Sequence, residues 1–513
     1  MTTQIPRILF KSQAVRLKDR NTIIQLVYDA FDSSLALWAS DGSCVASPHL
    51  MAAELNGALD NYCTDMDEQS STLTCTEQQR QNPFRSIDGT CNNLENPYFG
   101  ASRVKLNRLL EPVYDDEGGV TITCCDNVTN GFLPNPPEEC FPILITDSAL
   151  RGPCRQFVRS VAAKPQFPGG YLLRFEPSPF GELLPSTTAR ICNQPLCFLA
   201  GDERPNEQPS LATIHTLFLR LHNRIARAIK AEKPGLSNST IFDNARRLVG
   251  GVIQNIMFAE WLPIILGPSS MARHRLIVTG RSVYNQSVDA TLFNAFSSAA
   301  FRLGHSLIPD ELPAFSSNLA GRSLLLREHF MNPTVVRTRI NDLAMGLFNA
   351  QDPDDQSQPF DSVITGEVSC ITHSVINHLF EVNGVRGTGY DLMSFNIQRS
   401  RDHGVPPYNR YREFCGLRNV NDIELIVGGF LEPPFGGGLI GATLNCLVSE
   451  QMRRLKFGDR FFFTHLPGRT ITNPFTNEQL SELRKVTAAV VMCQTIPGLS
   501  SIQADAFRPV SRT

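Results

Sequence analysis

Apolar positions recur along this chain mainly at helical spacing. Between Ser210 and Lys230, the residues Ile214, Leu217, Leu221, Ile225 and Ile229 fall three or four apart, which predicts a long helix with one buried stripe. Ser239 stands where a side chain can cap a second helix from Thr240 to near Trp261, before Pro263 interrupts the run. Phe293, Phe296, Ala300, Leu303 and Leu307 repeat the spacing and predict a third helix from about Asp289 to Leu307. Pro- and Gly-rich stretches at 165–185 and 432–438 read as loops. There is no internal repeat, heptad run or low-complexity tail, so the pattern predicts a mainly α fold. No uninterrupted apolar run reaches spanning length, and no membrane helix is expected.

Composition adds a compartment and removes some partners. At 513 residues and 42% hydrophobic content, the chain suits one large globular domain or several. A net charge of −3 gives no electrostatic reason to expect nucleic acid or an anionic membrane. The 14 cysteines point to an oxidising, secretory compartment, and Asn127, Asn238 and Asn285 each open an Asn-x-Ser/Thr sequon. The start, Met1-Thr-Thr-Gln-Ile-Pro-Arg7, shows no basic residue followed by an apolar stretch, so no signal peptide is visible.

The candidate chemistry begins at Phe301-Arg302-Leu303-Gly304-His305. An imidazole in such an apolar, helix-periodic segment suits haem iron, and an arginine one turn earlier suits a haem propionate. Taken alone, a helical histidine is far more often a core or surface residue than an iron ligand. Its company changes that. The segments Cys197–Pro209 and Thr213–Ala226 come first, and Asn396-Ile-Gln-Arg-Ser-Arg-Asp-His-Gly-Val-Pro-Pro-Tyr-Asn409 follows, ending in Phe414-Cys415-Gly416. Further matches are Phe84–Pro97, Leu109–Tyr114, Cys140–Ile143 and Gly458–Phe463. In these segments and their order, from about residue 75 to the C-terminus, the chain resembles the animal haem peroxidases.

The resemblance implies a propeptide-like segment over 1–74 and one large helical domain over 75–513 around a buried haem of the b type. It implies an oxidoreductase that uses hydrogen peroxide to oxidise a small donor such as halide, thiocyanate or a phenol, in a secreted or granule-stored protein. His305 aligns with the proximal iron ligand, and Asn396 with the asparagine that holds the other ring nitrogen. Arg302 and Arg399 match the propionate-binding arginines. Arg204 matches the arginine that stabilises charge on the departing peroxide oxygen, and Glu207 the glutamate that esterifies a haem methyl. Gln208 replaces the methionine that forms a sulfonium link in some relatives. Asp402, His403 and Tyr408 read as scaffold. The resemblance also suggests two disulfides, Cys75–Cys91 and Cys446–Cys493.

Two departures qualify the activity. At about 117–122, Val113-Tyr-Asp-Asp-Glu117 runs almost directly into Cys124-Cys-Asp-Asn127, without the family's segment of distal histidine, second haem-linking aspartate and calcium ligand. At about 162–170 the family's calcium loop is missing as well. None of the ten histidines stands in the distal context. General acid–base catalysis contributes about 10²–10⁴-fold, so Arg204 acting without that histidine predicts a slow enzyme. A Glu207 ester, which relies on peroxide turnover, is then not expected. The alternatives are a haem-binding pseudo-peroxidase with an extracellular interaction role, and the product of an incomplete transcript or gene model.

Overall fold

Gln208-Pro209 starts the helix around which the rest of the fold is arranged. The computed structural model describes residues 74–113, 170–187, 197–315, 323–349 and 372–507 with short gaps, together with Cys192 and the ladder residues 143–144 and 154–155. The segment 1–73, the junction at 117–122 and most of that at 162–170 lie outside the described residues. After a short helix α1 (Glu77–Gln81) come three small antiparallel ladders. They pair β1 (Ile143–Leu144) with β2 (Cys154–Arg155), β3 (Glu176–Ser178) with β4 (Gly181–Leu183), and β5 (Ser186–Thr187) with β6 (Cys197–Phe198). The stretch expected as loop therefore contains the β3–β4 hairpin.

The first half of the helical part contains α2 (Pro209–Glu232), α3 (Asn238–Asn255), α4 (Leu262–Arg273) and α5 (Asn294–Ser298). A last ladder, β7 (Glu311–Leu312) with β8 (Leu324–Leu325), leads to α6 (Thr334–Asn349). Then follow α7 (Leu392–Asp402), α8 (Tyr408–Phe414), α9 (Leu425–Leu431), α10 (Ala442–Gly458), α11 (Asn477–Leu483) and α12 (Ala488–Thr495). The described part is mainly α, as the pattern predicts.

Helix α2 starts where a missing N–H costs nothing, because Pro209 occupies its first turn and Gln208 Oε1 accepts the Ser210 N–H at 2.7 Å. It is buried on more than the one expected stripe. Leu221, Ile225 and Ile229 face the larger core, Ala212 and Leu219 a second core, and Leu217 a third, smaller cluster. Each such aliphatic side chain contributes about 1.5–3 kcal/mol on burial, so a helix shared by three clusters is the natural spine of the fold. Even one of its three arginines is enclosed. Arg220 donates to the carbonyls of Phe180, Glu182 and Thr495 at 2.7–2.9 Å, and desolvation brings it down to about 10.

Helix α3 is capped by Ser237, which accepts the Thr240 N–H at 3.1 Å, rather than by Ser239. Asn238 and Ser239 already lie inside the first turn. Its far end widens into a π-turn, Ile256–Trp261, before Pro263 enters the first turn of α4. Gly267 (φ 76°) then breaks the helix and packs directly on Gly436–Gly438, where any Cβ would meet the Gly436 carbonyl oxygen at 2.4 Å. By length and composition the run Asn238–Arg273 passes for a membrane span, although Asp243, Arg246, Arg247, Asn255 and Glu260 interrupt its apolar residues. Some 61% of its apolar window is buried in protein, the mark of a core helix.

The π-turn presents Glu260 to the start of α12, where both carboxylate oxygens lie 3.2–3.3 Å from the Ala488 N–H. Burial pushes this carboxyl from its ordinary 4.5 up to about 7, against the lowering effect of that hydrogen bond. The folded state therefore favours the protonated form, and its contribution is complete below pH 4.5 and lost as pH rises through 7. Allowing for solvent around a half-buried group, the loss is about 1–2 kcal/mol. Glu260→Gln keeps an acceptor and removes the titration. Denaturant melts at pH 5 and pH 8 should show the variant gaining on the parent at the higher pH, and an unchanged difference would contradict this account.

Three disulfides are formed among the described residues, Cys75–Cys91, Cys192–Cys197 and Cys415–Cys446. The first was expected. The second expected pair is corrected, because Cys446 bonds Cys415 across the start of α10 and leaves Cys493 a half-buried free thiol. Helix α12, which carries Cys493, docks on α2.

Candidate active site

The segment around His305 is two pieces rather than the one helix its periodicity predicts. Helix α5 stops at Ser298, Ala299 leaves helical geometry (φ −139°, ψ −69°), and Ala300–Leu307 continues as a 3-10 helix. The break has a visible cause. The carbonyl of Ser297 is taken by the Arg302 Nε–H at 3.2 Å, and that of Ser298 by the Ser400 hydroxyl at 3.2 Å. Both carbonyls would serve the next turn of an α-helix, and side chains claim them instead. Phe293, Phe296, Ala300 and Leu303 remain buried as the pattern requires.

A three-residue turn changes which side chains meet. In 3-10 geometry positions i and i+3 eclipse, so Arg302 and His305 share a face instead of lying on neighbouring ones. Both reach Asn396, which is fully buried on α7. Arg302 Nη1 donates to Asn396 Oδ1 at 2.8 Å, and Asn396 Nδ2 lies 2.9 Å from His305 Nδ1. The contact with Asn396 engages Nδ1 and leaves Nε2 as the ring nitrogen turned away from it.

Helix α7 is held for this task. Asp391 caps it by accepting the Ser394 N–H at 2.6 Å, and it buries Asn396, Gln398, Arg399 and Ser400 in succession. Arg399 Nη1 pairs with Asp402 Oδ2 at 2.8 Å, both side chains almost fully enclosed. His403 Nδ1 faces Asn294 Oδ1 at 2.8 Å, while its carbonyl accepts from Asn294 Nδ2 and Arg108 Nη1. These contacts tie the end of α7 to the start of α5. Farther along, Glu432 accepts from Tyr408 Oη at 2.5 Å, from Thr443 N and Oγ1 at 2.6 Å each, and from Arg412.

Arg204 and Glu207 sit in a separate turn, a 3-10 stretch over Arg204–Asn206 that feeds into α2. Asn206, fully buried, fixes it by pairing with both backbone groups of Phe198 at 2.8 and 2.9 Å. Glu207 N donates to Arg204 O at 2.9 Å, and Glu207 O accepts from Met331 N at 3.0 Å. The side chain of Gln208 is engaged in capping α2. Asn206 and this cap escaped the sequence reading, although the Gln-Pro step before an apolar run was a signal for the cap. The described contacts bring His305, Asn396 and Arg302 together; they do not join this group directly to Arg204 or Glu207. Both halves border the second core, which takes Phe198 and Ala212 from one side and Ile308, Leu312, Leu392 and Phe395 from the other.

The model of the animal haem peroxidases matches residues 84–138, 165–421 and 418–507. The chain belongs to the animal haem peroxidase family. A peroxidase of Drosophila melanogaster is 35% identical, the match covering 84% of this chain and 80% of the relative. That alignment runs over 569 positions, longer than this 513-residue chain, so the fly protein has residues without a counterpart here. Mouse thyroid peroxidase is 33% identical over 62% of this chain and 36% of its own length. Among solved structures, peroxidase A of Dictyostelium discoideum superposes with a TM-score of 0.66 at 22% identity, covering 83% of this chain and 99% of that one. It supports the mainly α peroxidase fold.

Haem is the cofactor that membership implies, and the residues present suit it. A single imidazole held at Nδ1 presents Nε2 as its metal-binding atom. A Cβ built on Gly304 would meet nothing within 4 Å, so the chain leaves room beside His305.

Proposed function

We propose that this haem peroxidase-family oxidoreductase holds haem through His305 and oxidises a small halide, thiocyanate or phenolic donor at the expense of hydrogen peroxide. The observation that carries this reading is the hydrogen-bonded series Arg302–Asn396–His305. Bound haem supplies an iron centre at which the peroxide O–O bond is cleaved and from which electrons are drawn out of the donor. The chain's residues orient and neutralise. His305 would hold haem iron through Nε2, the ring nitrogen turned away from Asn396. Asn396 fixes the ring plane through its contact with Nδ1. Arg302 holds Asn396 in that orientation; an arginine's five N–H donors let the same guanidinium also meet a propionate. Arg399 is the second propionate candidate, with Asp402 fixing its position.

Arg204 is assigned the charge that develops on the leaving peroxide oxygen, positioned by the buried Asn206 clamp. With no histidine in the family's distal context, proton movement falls to water, and turnover is slow. Glu207 remains an unesterified carboxylate on this reading, and the disulfides fit a secreted or granule-stored protein. Titration of the full chain with haem should give a Soret band and slow peroxide-dependent oxidation of iodide or a phenol, reduced about 10²-fold in Arg204→Leu. A Soret band without any turnover would replace the enzyme by a haem-binding protein.

A further inference from the structure

The amide that holds His305 has a third neighbour, to which the peroxidase reading gives no task. Asn396 Oδ1 takes the Arg302 guanidinium at 2.8 Å, and Asn396 Nδ2 lies 2.9 Å from His305 Nδ1 and 3.7 Å from the sulfur of Met393. Met393 stands three residues before Asn396 on α7, a spacing at which helical side chains meet. A thioether is a weak acceptor, so this is the loosest of the three contacts on the amide. It is also the one whose chemistry can change.

Exposure sets Met393 apart from most methionines of the fold. Met271, Met331, Met345 and Met452 are buried, whereas Met393 is only partly covered where it packs against the larger core. An oxidant arriving from solvent reaches its sulfur before theirs. Met257 and Met492, also partly covered, lie on other elements, the π-turn and α12.

We propose that Met393 is a peroxide-sensitive modification site whose oxidation loosens the hold on His305 and weakens haem binding. In the step, a sulfur lone pair attacks one oxygen of hydrogen peroxide. An S–O bond forms, the O–O bond breaks, and the second oxygen leaves as water after taking the proton of the first. The thioether is oxidised by two electrons and the peroxide is reduced by them. The product sets a strong acceptor beside the amide in place of a weak one. Its oxygen draws the amide toward Met393 and away from the ring, and the added atom crowds the space between them. Supports of a ligating histidine are worth about 10–100-fold in metal affinity, and the sulfoxide lowers haem affinity within that range. Excess peroxide thereby limits the protein that consumes it, and reduction of the sulfoxide reverses the effect.

The modification stands on the Met393 geometry, while its effect on haem rests on the reading of His305 as the iron ligand. The test treats the full haem-free chain, disulfides formed, with hydrogen peroxide, maps its peptides by mass and titrates it with haem at the Soret band. The expected result is one added oxygen at Met393 ahead of Met271, Met331, Met345 and Met452. Haem affinity should fall about 10-fold or more and recover after treatment with methionine sulfoxide reductases. Met393→Leu fills a similar volume without sulfur, and its affinity should be the same before and after peroxide. Cys493 is present in both proteins and cancels from the comparison. Met393 left unoxidised while the buried methionines gain oxygen overturns the site. Met393 sulfoxide with unchanged affinity, or an equal fall in Met393→Leu, overturns its link to haem. His305→Ala binding haem as tightly as the parent would instead overturn the ligand reading, and the haem effect with it, whatever the mass of the Met393 peptide.

Discussion

His305→Ala abolishes the Soret band of haem-titrated protein while leaving the helical circular dichroism intact. The imidazole is the group proposed to hold the iron, and its loss would remove a metal–ligand bond rather than one of its supports. Supports of a ligating histidine are worth about 10–100-fold in affinity, so the direct ligand should cost at least ~100-fold and Asn396→Leu a value inside that range. A second readout comes from Trp261, one of only two tryptophans, whose ring packs 5.8 Å from Phe301. Haem bound at His305 quenches its emission, and His305→Ala should lose the quenching. An alanine variant that binds haem as tightly as the parent would remove the proximal assignment. If instead Asn396→Leu alone were silent, the Arg302–Asn396–His305 series would be scaffold without influence on the ligand.

The largest stability effect is expected far from iron, at Glu432. This carboxylate is enclosed and takes hydrogen bonds from Tyr408, Arg412 and the first turn of α10 through Thr443. Glu432→Ala strands the Arg412 guanidinium and leaves the Thr443 N–H and hydroxyl unmatched, a cost of about 3–5 kcal/mol. Glu432→Gln keeps the shape and loses the charge, and should cost about half as much. Urea unfolding monitored by circular dichroism distinguishes the two. Equal stability of parent and alanine variant would mean that the helices α8, α9 and α10 are joined by apolar packing alone.

Both effects show how far the sequence could be read. Leu217, Leu221, Ile225 and Ile229 announce α2 because a buried helix must repeat its apolar residues at 3.6. The break before His305 was not announced, since the groups that cause it, Arg302 and Ser400, act through space on the carbonyls of Ser297 and Ser298. Periodicity cannot register a side chain arriving from a hundred residues away. Family motifs located Asn396, yet its partnership with Arg302 depends on that same break. Glu432 opened a stretch legible only as loop, because a hub made of hydrogen bonds from two distant helices leaves no local pattern. Cys446 failed as a sequence prediction for a related reason: pairing follows the docking of α8 and α10, and spacing carries no information about it.

The three-residue turn that carries Arg302 and His305 also sets a rule for change in this segment. Each residue of a 3-10 helix advances the side chain by about 120°, so substitutions keep the two aimed together while a single inserted or deleted residue turns one of them away. Length is therefore the guarded property between Ala299 and Leu307. Losses elsewhere in the chain, such as those at the two junctions, leave this short ruler untouched.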